Sequence, residues 1–89
     1  MVRTYFVVNW TTWTTSGHAR QYYKIFEGDN PNDIEQKARI FTQFKTQNRR
    51  SYNITLVRFD ETTVKPGYTD ETGKYHLPKQ RTTATTLFK

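Results

Sequence analysis

The chain has no cysteine, one methionine, four glycines and three prolines in 89 residues. Without cysteine, neither a disulfide frame nor a thiolate metal site can supplement the core, and the lack fits a reducing compartment. Carboxylates are scarce as well, eight Asp and Glu against fourteen Lys and Arg, for a net charge of +6. They fall in three groups: Glu27, Asp29, Asp33 and Glu35; Asp60 and Glu61; Asp70 and Glu71. Residues 1–26, 36–59 and 72–89 carry no acidic side chain. A cationic surplus distributed this way can produce a one-signed surface field that favours a polyanionic partner. No apolar run is long enough for a signal peptide or a membrane span, so the expectation is a soluble, cytoplasmic protein without a membrane partner.

Aromatic and β-branched residues fill the gap. There are six Phe, six Tyr, two Trp and sixteen Thr, all of which suit a pleated sheet. Eighty-nine residues allow one domain with a thin, two-layer core. Residues 4–13 (TYFVVNWTTW) and 20–27 (RQYYKIFE) predict two strands joined by the polar stretch 14–19, hence a hairpin. Gly28-Asp29-Asn30-Pro31 ends the second strand and opens a helix over 31–48, with Asn30 as N-cap and Pro31 at the first helical position. Ile34, Ala38 and Phe41 form its apolar stripe, flanked by Lys37, Ile40 and Phe44. Asp33 and Glu35 suit the positive end of its dipole, and Arg49 and Arg50 the negative end. Residues 52–63 predict a third strand, and Tyr68 to Leu77 a short hairpin around Thr69–Lys74. The expected fold is α+β: a two-layer antiparallel sheet of three to five strands, β-β-α-β plus the C-terminal hairpin, packed on one helix. A single domain over 1–78 and a mobile basic tail over 79–89 complete the expectation.

One helix can cover one side of such a sheet, yet all three strands are apolar on both. Alternation assigns Phe6, Val8, Trp10, Tyr23, Ile25, Tyr52, Ile54 and Leu56 to the helix side. Tyr5, Val7, Trp13, Tyr22, Phe26, Val57 and Phe59 then face away, and exposed apolar surface of that kind marks an interaction site. The hairpin and tail could fold back over this face, a protein partner or second copy could bury it, or nucleic-acid bases could stack on it. The last option joins base–aromatic stacking to salt-dependent phosphate contacts. It resembles RNA-recognition sheets in architecture alone, since neither their Gly-aromatic signature nor their βαββαβ order is present. Tyr5, Trp13, Tyr22 and Phe59 are the stacking candidates; Arg20, Lys24, Lys45, Arg49, Arg50 and Arg58 are the phosphate candidates. A run of helix cations is ordinarily just a solvated face. Here the pairs Asp33–Lys37 and Glu35–Arg39 compensate only the first turns.

Catalysis is not expected. His18 and His76 have no second ligand at metal-binding spacing, and no nucleophile elbow, P-loop or dinucleotide fingerprint occurs. The adjacent pairs Asp60-Glu61 and Asp70-Glu71 point to opposite faces of a strand and do not converge by themselves. The sequence thus predicts no cofactor and no metal. It predicts a small module for DNA or RNA, single-stranded or duplex, or for a nucleoprotein complex. The rival is a protein-binding inhibitor or adaptor, such as a virus or plasmid directs against a host enzyme or defence complex. Aromatics and Arg are enriched at protein interfaces too; a third reading is a homodimer that buries the second sheet face.

Overall fold

The computed structural model describes residues 2–89. Strands β1 (Val2–Trp13) and β2 (Ala19–Glu27) form the first hairpin. Its loop is closed by bonds from the Thr14 amide to His18 O and from the Gly17 amide to Thr14 O, and Gly17 takes the positive φ of 83° that the turn requires. Helix α1 (Pro31–Gln47) follows, and the Asn30 side chain accepts from the Asn32 and Asp33 amides. Strand β3 (Ser51–Lys65), a short ribbon of β4 (Tyr68–Thr69) and β5 (Tyr75–His76), and strand β6 (Lys79–Phe88) complete the chain. The sheet is four-stranded and antiparallel, in the order β2-β1-β3-β6. With α1 across one side, it is a two-layer α+β fold.

The core is small. Among the described residues the fully buried apolar side chains are Phe6, Val8, Ala38 and Leu56, with Trp10, Phe26, Ile34, Phe41 and Leu87 packed around them. Ile40 and Phe44 stand on the outer side of α1, exposed.

Four expectations are corrected by this arrangement. Residues 79–88 are not a mobile tail but an edge strand along β3; threonine's branched Cβ suits the pleat even where no apolar period announces a strand. The β4–β5 ribbon exists, yet among the described residues it meets the body only at its own base, where Lys65 Nζ of β3 lies 5.1 Å from the Tyr68 ring centre, so neither it nor β6 covers the second sheet face. In β2 the two faces are exchanged. The loop register pairs Trp13 with Ala19, which sets Phe26, Lys24 and Tyr22 opposite Phe6, Val8 and Trp10 on the helix side and leaves Tyr23 and Ile25 on the open side. Finally, the β1–β3 register shifts between Asn9 and Thr11, where Asn53 has a φ of 52°. That bulge moves Tyr52 from the helix side to the open side, where it stacks on Trp13.

Candidate nucleic-acid interface

The expected site residues divide between two surfaces. On the helix side, β2 contributes Arg20, Tyr22 and Lys24 from alternate positions, and the last turn of α1 contributes Lys45. Between them lies a cluster of rings. Trp10 stacks on Tyr22 at 5.8 Å and meets Phe41 edge-on at 5.2 Å, and Phe41 meets Phe26 at 5.4 Å. Lys45 Nζ sits 4.4 Å from the Trp10 ring centre and 5.2 Å from that of Phe41. Lys24 Nζ lies 5.1 Å from the same Phe41 ring and 5.2 Å from Phe26. Two ammonium groups are thus held over one aromatic cluster by the ring quadrupoles, with their alkyl stems laid along it.

Arg49 and Arg50 join this end of the molecule through the backbone. Arg50 O accepts from the Trp13 amide at 3.0 Å. The next residue, Ser51, lies across Thr12 from Arg20 in the sheet, a span of about 10 Å at ordinary strand spacing. Asn48 ends the helix, and its side chain accepts from the Arg50 amide at 2.9 Å, fixing the turn that carries both arginines. Lys89 borders the same end beside Thr46 and Asn53. None of Arg20, Lys24, Lys45, Arg49 and Arg50 forms an ion pair among the described residues. The carboxylates are elsewhere, at the helix N-terminus, in the middle of β3 and in the ribbon.

The remaining candidates lie outside this cluster. Tyr5 and Phe59 stack at 5.1 Å on the open face, and Trp13 stands at that face's far end against Tyr52. Arg20, Lys24 and Arg58, expected beside the aromatics that face away from the helix, all lie on the helix side instead; Arg58 stands opposite Phe6 and is held 3.1 Å from Asp60. Since β3 alternates, Arg58 and Phe59 cannot share a face. Arg3 is the cation that does reach the open face, and it is taken up by Glu27 and by Glu61 at 3.8 Å. The hydrogen bond to Glu27, then that carboxylate's charge, raises the Arg3 pKa above the usual arginine value. Trp10 and Phe41 were legible only as core residues. Phe41 and Lys45 at i, i+4 were the signal that a cation and a ring share one helix side.

His76 and Asp70 meet in the ribbon, Nε2 to Oδ2 at 2.8 Å. Among the described residues no three His, Cys, Asp or Glu side chains gather as metal ligands. Among the described residues no helix is long and apolar enough to cross a membrane. No family profile, curated protein or solved structure matches this chain.

Proposed function

We propose that the protein is a non-catalytic module that binds nucleic acid through the helix-side end of its sheet. Arg20, Lys24, Lys45, Arg49 and Arg50 contact phosphates, and Tyr22, backed by Trp10, offers the stacking ring. The observation that carries this reading is the gathering of five cations from β2, α1 and the α1–β3 turn with no carboxylate partner among the described residues. Phosphates would replace no existing ion pair there, so the counterion-release gain is undiminished by broken contacts. Tyr22 is 42% exposed and extends the Trp10 stack to the surface, where a base can add to it for about 1–3 kcal/mol. Contacts of these kinds track backbone and ring faces and so discriminate weakly among sequences.

Fluorescence anisotropy with short labelled single- and double-stranded oligonucleotides, at several salt concentrations, tests this. Five phosphate contacts predict a log–log salt slope of about −4.5 on duplex. The double variant Arg49→Glu/Arg50→Glu should lose roughly ten- to a hundredfold in affinity, and Tyr22→Ala about tenfold. Tyr5→Ala and Phe59→Ala should bind as the parent does. If the last pair abolishes binding and the arginine pair does not, the open sheet face is the binding platform. No binding of any oligonucleotide at low salt would sink the proposal and return the search to a protein partner.

A further inference from the structure

The open side of the sheet is aromatic, uncovered and free of unpaired cations among the described residues. Residues facing it include Tyr5, Val7, Trp13, Tyr23, Ile25 and Phe59. Tyr23 is 68% exposed, and Ile25 and Trp13 about half. The charged side chains on this face are Arg3, Glu27 and Glu61; Arg3 pairs with both carboxylates, so the three together carry a charge of −1. The β6 margin presents small residues, Thr82, Ala84 and Thr86, aligned with Glu61, Phe59 and Val57.

The chain is also too thinly covered for its size. Its surface is 6992 Å², whereas a compact monomer of this mass exposes about 5,500 Å². Its radius of gyration is 17.9 Å, against about 12 Å for a compact chain of this length. The projecting ribbon and the bare sheet face both add to this surface. The difference of about 1,500 Å² is enough for one partner's share of a stable interface, which averages about 800 Å².

We propose that the open face is covered by a second copy of the chain, packed sheet to sheet about a two-fold axis. Charge selects that occupant. Two chains of net charge +6 repel wherever unpaired cations face each other, and on this face the one cation, Arg3, is held by two carboxylates. An acidic partner or a polyanion is drawn to the helix side instead. Shape agrees. A two-fold axis running along the strands sets β2 of each copy over β6 of the other, so that Ile25 meets the Thr86 shelf. It also closes the two inner faces as in an aligned sandwich. The helices and the basic clusters remain outside, one on each side of the dimer.

Sedimentation equilibrium from low micromolar to submillimolar concentration should return about 21 kDa, twice the chain's 10.6 kDa, with a melting temperature that rises with concentration. Tyr23→Lys/Ile25→Lys alters side chains that are exposed in the single chain, and it should weaken self-association by about tenfold or more. Ile40→Lys/Phe44→Lys, on the outer side of α1, should not. Tyrosine nitration of the parent protein, read by mass spectrometry, gives a second answer should the Tyr23 variant fail to fold. Tyr23 should be modified far more slowly than Tyr75 in the ribbon, although it is the more exposed of the two in the single chain. A folded monomer at every concentration would overturn the proposal, leaving the face to a foreign protein. A dimer in which Tyr23 is nitrated as fast as Tyr75 would overturn it equally. Neither result touches the helix-side reading.

Discussion

Single residues carry two of the arrangements on which the molecule depends. Asn53 holds a left-handed backbone at the bulge that sends Tyr52 to the open face. A β-branched residue cannot adopt that conformation cheaply. Asn53→Val should cost about 1–2 kcal/mol, and Asn53→Gly should be tolerated; urea denaturation of the two variants checks this. Asp70 organises the ribbon tip. Its carboxylate accepts from the Thr72 hydroxyl at 2.6 Å, from the Thr72 and Lys74 amides at 2.9 and 3.0 Å, and from His76. These donors, the Thr72 hydroxyl first and His76 next, lower its pKa to about 2. A carboxyl whose folded pKa is depressed contributes order that is complete above the usual range near 4 and lost as pH falls toward 2. The Thr72 and Lys74 amides should therefore lose exchange protection between about pH 4 and 2, and Asp70→Ala should remove it at neutral pH. Amide signals of the sheet body should not follow in either case, because the ribbon touches the body only at its base, through Lys65 on Tyr68.

At the scale of elements, the ends of α1 and the centre of the sheet set stability. Asn30→Ala removes the acceptor for two first-turn amides and should cost about 1 kcal/mol. Leu56→Ala opens a cavity in a core with few other buried side chains and should cost about 2–5 kcal/mol. Thermal or urea unfolding measures both. The elements whose chemistry is local were legible in the sequence. Asn30-Pro31 announced the start of α1, the Glu35–Arg39 pair stands at 3.4 Å as its spacing suggested, and β1 and β3 declared themselves by composition. What depends on register was not legible. β2 alternates between two sets, Tyr22-Lys24-Phe26 and Tyr23-Ile25, and the all-apolar set looked like the core one. Register with β1 chose the other, and Lys24 is accommodated because its ammonium rests over Phe26 and Phe41 at the sheet margin. Strand β6 escaped because its threonines show neither an apolar period nor a turn signal. For the candidate interface, each cation was visible. Their meeting was not, since positions 20, 24, 45, 49 and 50 converge only through the pairing of β1 with both β2 and β3.

At the scale of the whole molecule, the chain is a flat body with an arm, 60 × 30 × 17 Å in extent. Lys65 pairs with Lys79 at the base of that arm. Replacing residues 66–78 by Asn-Gly should therefore close β3 on β6 directly as a two-residue hairpin. The shortened chain should melt within a few degrees of the parent by circular dichroism, and a collapse of the body would show that the arm supports it. Along the body, charge is graded. Unpaired cations crowd the end bearing Arg20, Arg49 and Arg50, while Glu27, Asp29, Asp33 and Glu35 lie toward the opposite end of α1. Such a body has an electric dipole moment in addition to its net charge, and in the field of a polyanion it experiences a torque before any contact forms. Encounters would arrive already turned with the cationic end foremost. Added salt should then slow association itself, a dependence that stopped-flow mixing reads directly. Exchanging Glu27 and Arg20 between their positions would preserve the net charge, reduce the dipole, and slow capture even where equilibrium contacts are rebuilt.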